Sequence, residues 1–131
     1  MNKYLAKLEQ YKMAGCPPAT RDVRLNLENR QKAIDVAMYG PMDVENPGNY
    51  WKDIANEWGV DEETAKGKVC NNCAAFNITS AMLSCIKQGI NDADAQDVVE
   101  LADLGYCEIF HFKCNGNRSC SAHLDGGPIK D

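Results

Sequence analysis

Seven cysteines occupy a chain of 131 residues, and four of them, Cys70, Cys73, Cys85 and Cys107, lie in a stretch whose spacing suits metal chemistry. Cys70-Asn71-Asn72-Cys73 puts two sulfurs on one tight turn, and two thiols arriving from later in the chain can close a tetrahedral site. Downstream, His111-x-x-Cys114 and Cys120-x-x-His123 also have ligand spacing, and with Cys70 and Cys73 they could form one or two zinc sites. A milder reading makes Cys114 and Cys120, on either side of Asn115-Gly116-Asn117, a thiol pair or a small disulfide. Cys16, beside Pro17-Pro18, has no place in these patterns. There is no phosphate-binding glycine loop and no set of nucleophile, base and orienting acid, so the chain is not expected to be an enzyme.

Cys70-Asn-Asn-Cys73-Ala-Ala-Phe76, then Cys85, then Leu101-x-x-x-Gly105-Tyr106-Cys107-x-x-Phe110 resembles the cluster-binding half of the high-potential iron-sulfur proteins (HiPIPs). The resemblance implies a cubane [4Fe-4S] cluster with Cys70, Cys73, Cys85 and Cys107 as ligands, cycling one electron. The interval from Cys85 to Leu101 exceeds the family's usual spacing and reads as an inserted helix. More broadly, Asn29-Arg30-x-x-Ala33-Ile34 with Tyr39-Gly40-Pro41, Tyr50-Trp51 with Trp58-Gly59-Val60, the run from Cys70 to Phe76, and Gly126-Gly127-Pro128-Ile129 resemble short cysteine-rich virion proteins of tailed bacteriophages. That second resemblance implies a virion component in which the cluster stabilises a small subunit. The expected function is therefore a cluster-binding structural protein. The alternatives are a HiPIP-like one-electron carrier and a zinc-binding module.

The elements that must position these residues are mostly helical. Tyr4, Leu5, Leu8 and Tyr11 make a narrow stripe over Asn2 to Ala14, ended by Gly15-Cys16-Pro17-Pro18. A second helix is expected from about Asp22 to Met38, with Val23, Leu27, Ile34 and Met38 on one side. Trp51, Ile54, Ala55 and Trp58 fall at i, i+3, i+4 and i+7, between a capping Asn49 and a terminating Gly59. Asp61 is a candidate N-cap for a short helix to Lys66. Ile54-Ala55-x-x-x-Gly59-Val60 has the form of a helix-turn-helix centre, but Asp61, Glu62 and Glu63 would meet phosphates, so no nucleic-acid partner is expected. Asp94 to Leu104 reads as an acidic helix with Val98, Leu101 and Ala102 inward and Gly105 as its stop. Ala74, Ala75, Phe76, Ile78, Met82, Leu83 and Ile86 supply an apolar wall for the thiols.

The fold class expected is mainly α with irregular loops. A helical N-terminal arm, residues 1-40, carries a Pro-Pro elbow, and a loop-rich cluster-binding body fills residues 41-131. Residues 1-35 hold seven Lys/Arg against four Asp/Glu, net +3, and residues 36-131 seven against fifteen, net -8. This asymmetry suggests that arm and body face different neighbours, with the arm and the turn-rich tail from Leu124 docking on other subunits. The first ten residues have no uninterrupted apolar core and no twin arginine, so assembly in a reducing cytoplasm is expected, where grouped thiols commonly ligate metal. No run of about eighteen apolar residues exists, so no membrane partner is expected.

Overall fold

The computed structural model describes residues 15–131, and the helix expected over Asn2 to Ala14 lies outside them. Five α-helices share the described residues with a three-stranded antiparallel sheet. The helices are α1 (Val23–Ala37), α2 (Tyr50–Trp58), α3 (Glu62–Lys66), α4 (Ser80–Ile90) and α5 (Ala95–Leu101). The strands are β1 (Phe76–Asn77), β2 (Leu104–Cys107) and β3 (Phe112–Asn115), in the order β1-β2-β3. The expectation of a mainly α fold is thus overturned: the structure is mixed α/β. The sheet escapes a helical reading because its strands are only two to four residues long, too short to show an alternating pattern against the periodic segments beside them.

Local chemistry explains most helix ends. Asp22 accepts from the Leu25 amide at 3.0 Å to start α1, and Met38 ends it in the left-handed region. Gly59 ends α2 at φ 69°, and Asp61 accepts from the Thr64 amide at 2.7 Å to open α3. Asn49 stands at the N-cap of α2 without a side-chain hydrogen bond. The acidic helix is shorter than expected: Ala102 caps α5, Asp103 turns left-handed, and the chain enters β2. Its phase differs too, since Ala95 and Val99 are buried while Val98 and Leu101 face outward.

The register pairs Phe76 with Cys107 and Cys107 with Phe112, and sets Gly105 opposite Cys114. Side chains alternate between the faces of a sheet, so this one divides two cores. One face carries Phe76, Cys107, Phe112 and Cys114, packed with Cys70, Cys73, Ala75 and Tyr39 and with Ala33 of α1. Tyr106 points the other way, into Met82 and Ile86 of α4 and Val99 of α5. A third core joins α2 and α3 through Trp51, Ile54, Ala55 and Ala65. Met82, Leu83 and Ile86, expected to wall the thiols, therefore serve the opposite side of the sheet.

The described part of the arm, from residue 15, packs on the body of its own chain. From α1, Asn26 accepts from the Lys113 amide at 2.7 Å and Asn29 donates to the His111 carbonyl at 2.7 Å, laying the helix along β3. The Pro18–Thr20 turn sits directly on α4, where a Cβ at Gly89 would lie 1.6 Å from the Thr20 carbonyl oxygen. A disulfide joins Cys16 to Cys85 across 69 residues, a closure that constrains the unfolded chain by roughly 4 kcal/mol.

The tail lies on its own chain. The Ala74 amide donates to Leu124 O at 2.7 Å, the Gly127 amide to Asn72 O at 3.1 Å, and Ile129 exchanges bonds with Phe76 and Ile78. A Cβ on Gly127 would stand 1.8 Å from the Cys73 carbonyl oxygen, a backbone atom that cannot yield. Gly127→Ala is expected to cost about 2 kcal/mol or more through this overlap, read as a lower urea midpoint; an unchanged midpoint would mean that the tail does not seat there.

Candidate functional site

Five free thiols meet in one core. Cys70, Cys73 and Cys114 are buried together, with half-buried Cys107 and Cys120 packed against them. They arrive on four structural devices. Cys70 and Cys73 flank a 3-10 turn, Cys107 ends β2, Cys114 points inward from β3, and Cys120 follows the turn after β3. Of the four ligands implied by the iron-sulfur resemblance, three are here. Cys85 is not: it is bonded to Cys16 on α4, beside the core on the other side of the sheet.

Cys120 takes its place among the converging thiols, and Cys114 adds a fifth. The signal for both was their spacing beyond Cys107, assigned in the sequence to a zinc alternative. The histidines of that alternative do not join them. His111 is exposed in the left-handed turn between β2 and β3. His123 bonds through Nε2 to Val69 O at 3.1 Å and to Asn72 Oδ1 at 2.8 Å, so that nitrogen is already used. Burial lowers the His123 pKa and favours its neutral form.

The turn carrying Cys70 and Cys73 is braced from every side. The Cys70 amide donates to Arg118 O at 2.7 Å and the Asn71 amide to Gly116 O at 2.9 Å. Asn71 Nδ2 donates to Asp103 at 2.5 Å, Asn72 Nδ2 donates to Gly67 O at 2.8 Å, and Asn72 Oδ1 accepts from the Val69 amide at 3.2 Å. Neither asparagine is left-handed; they hold the turn through their amide side chains.

Backbone donors point at the sulfurs. Cys73 Sγ accepts from the Ala75 and Leu124 amides, each at 3.5 Å, and Cys107 Sγ from the Phe110 amide at 3.4 Å. Cys120 receives the Ala122 amide. Around them Phe76 and Phe112 are almost wholly buried, and Tyr39 meets Phe112 edge-on at 4.9 Å between centroids. Arg30 and Arg118 lie 5.9 Å and 5.7 Å from the Tyr39 ring centre. Burial pushes the tyrosine's own pKa up, with the neighbouring Cys114 adding to the effect.

The electrostatics follow from desolvation. Burial raises the Cys107 thiol to about 11 and the Cys120 thiol to about 12, and holds Cys114 well above its ordinary value. Cys107, Cys114 and Cys120 therefore stay protonated at neutral pH without metal, and a cationic group is needed to make several buried thiols ionise together. Among the described residues no three or more His, Cys, Asp or Glu side chains are disposed as a metal-ion shell. What the fold delivers is a convergence of sulfur donors with amides aimed at them, not a finished ligand sphere. Free thiols, an apolar enclosure and N–H···S bonds are the kinds of groups that thiolate-ligated centres use, but no shell closes around an ion among the described residues. The chain matches no protein-family model, no curated protein and no solved structure.

A pH dependence follows for the metal-free chain with its disulfide intact. Unfolded thiols ionise near about 8.5, whereas folded Cys107 and Cys120 keep their protons to about 11 and 12. Above about 8.5 the unfolded state binds fewer protons than the folded one, so stability is complete below that pH and is lost as pH rises through the folded values. The urea midpoint should be level up to about pH 8 and fall steadily from about pH 9. A midpoint that climbed over that alkaline range would show that the thiols do not sit in this core.

Proposed function

We propose that the chain is a small structural protein organised around a [4Fe-4S] cluster held by Cys70, Cys73, Cys107 and Cys120, in which the cluster staples the loop-rich C-terminal half to the sheet. The observation that carries this reading is the gathering of five unpaired thiols in one core, three of them receiving backbone N–H bonds. The four assigned ligands come from three separate segments. When bound, the cluster supplies positive iron to neutralise the thiolates, and the capacity to take up one electron. The chain's residues do the rest: Asn71 and Asn72 hold the first pair of sulfurs, the amides of Ala75, Phe110, Ala122 and Leu124 stabilise negative sulfur, and Phe76 and Phe112 keep water away.

The setting in a tailed-phage particle is supported by the resemblance to short cysteine-rich virion proteins. The disulfide between Cys16 and Cys85, away from an otherwise reduced thiol core, suits a protein assembled in a reducing cytoplasm and later carried at a particle surface. A second reading, one-electron carrier, draws on the same amide donors and on the partial exposure of Cys107 and Cys120.

Anaerobically purified protein should be brown and carry about four iron and four sulfide per chain. Cys120→Ala should lose most of that content, whereas Cys85→Ser should keep it, because Cys85 belongs to the disulfide. A colourless protein with stoichiometric zinc would overturn the cluster, and fast reversible electron exchange by the free monomer would favour the carrier over the staple.

A further inference from the structure

On the side of the sheet away from the free thiols, the fold forms a cavity of about 360 Å³, within the range of small-ligand sites, about 300–1,000 Å³. Two segments far apart in the sequence build it. One runs from Gly15 past the Pro18–Thr20 turn to Arg21, and the other is the end of β1 with α4. The Cys16–Cys85 disulfide is part of the wall, and Met82 supplies apolar surface.

Two polar groups in this lining have no partner in the protein. Sheet alternation turns Asn77, the residue after Phe76, toward α4, and it is fully buried there. Its Oδ1 accepts from the Thr79 amide at 2.9 Å, which fixes the orientation of the side-chain amide. Nδ2 is left as a buried donor without an acceptor, an arrangement that is rare in folded proteins and costly unless an acceptor is supplied. Arg21 is exposed, and among the described residues no carboxylate pairs with its guanidinium. No acidic side chain is part of the lining. The Asp131 carboxylate stands outside it, taking the Ser80 amide at 3.1 Å.

The segment that carries Arg21 is fixed by its own bonds. The Arg21 amide donates to Pro18 O at 3.0 Å, Thr20 Oγ1 donates to Pro17 O at 2.6 Å, and Cys16 is bonded to α4. Gly89 has no side chain, so the Thr20 carbonyl rests directly on the helix. The cavity is thus formed without a ligand, and binding does not have to order the chain.

We propose that this cavity binds a small carboxylate of the N-acyl amino acid type. Arg21 meets the carboxylate, Asn77 Nδ2 donates to the acyl oxygen, and Met82 and the disulfide take the apolar body. Each part of such a ligand answers a group that the protein leaves open: the cation without a counter-ion, the buried donor without an acceptor, and the apolar wall. The site lies across the sheet from the five thiols and does not depend on whether they hold a cluster.

The test uses the full chain with its disulfide intact and two probes, N-acetyl-leucine and N-acetyl-leucinamide, of which the second lacks the carboxylate. In nitrogen–proton NMR, N-acetyl-leucine should cause saturable shifts of the Asn77 side-chain amide and of Arg21 Nε–H. N-acetyl-leucinamide should bind about fivefold more weakly, as loss of a partly exposed ion pair predicts. Arg21→Gln should remove that difference without changing the affinity for N-acetyl-leucinamide. Asn77→Asp, which keeps the acceptor for the Thr79 amide and removes the donor, should weaken both probes.

Equal affinity of the wild type for the two probes would overturn the proposal, as would the absence of saturable binding by either. A fivefold preference that survived in Arg21→Gln would remove the carboxylate site from Arg21 and overturn it too. Should Asn77→Asp not fold, the wild-type spectrum decides: an Asn77 side-chain signal that does not move at saturation means that the ligand does not reach this donor, and the assignment fails.

Discussion

Sulfur in a dry core is the constraint on which this structure depends. A protonated thiol packs as a small apolar group, but a thiolate in the same place carries a charge that the interior cannot solvate. Five thiols together can stay neutral only by all keeping their protons, or by sharing a positive group. The raised pKa values of Cys107, Cys114 and Cys120 describe the first state. N–H groups directed at Cys73, Cys107 and Cys120 are of the kind that stabilises negative sulfur. Aromatic enclosure by Phe76, Phe112 and Tyr39 makes either state costly to disturb, because it removes the water that would otherwise screen the sulfurs.

The sheet keeps this chemistry apart from the rest of the packing. Its alternation sends Cys107, Phe112 and Cys114 to one face and Tyr106 to the other, where α4 and α5 form an ordinary apolar core. Gly105 lets β2 approach β1 closely, since a Cβ there would stand 2.4 Å from the Phe76 ring. The disulfide between Cys16 and Cys85 belongs to that second core. It joins the Pro18–Thr20 region to α4 without drawing on the five clustered thiols. A disulfide on one side and a cluster of free thiols on the other thus lie on opposite sides of a three-stranded sheet.

Some of this was legible from residues alone. Asp22 before a periodic run, Gly59 after two tryptophans and Asp61 before Glu62-Glu63 each act locally, within one turn, so their roles could be read without knowing the fold. Cys70-x-x-Cys73 could be read for the same reason. The segment from Asp94 was harder. Its composition suits a helix to Leu104, but Asp103 turns left-handed and Leu104-Gly105-Tyr106-Cys107 extends, because pairing with β1 and β3 outweighs local helix preference over four residues. The outward facing of Val98 and Leu101 likewise depends on how α5 sits on Tyr106.

By itself the sequence determined the helix boundaries set by caps, the presence of a thiol-rich C-terminal half, and three of the five sulfurs that share one core. Those properties depend on neighbours a few residues apart. Only the tertiary structure decided that Cys85 pairs with Cys16, that Cys114 and Cys120 join the other three, and that the tail returns across the Cys70–Cys73 turn. Cysteines are alike in sequence, and which ones meet is settled by strand register and helix placement across tens of residues, a long-range geometry that no local pattern encodes.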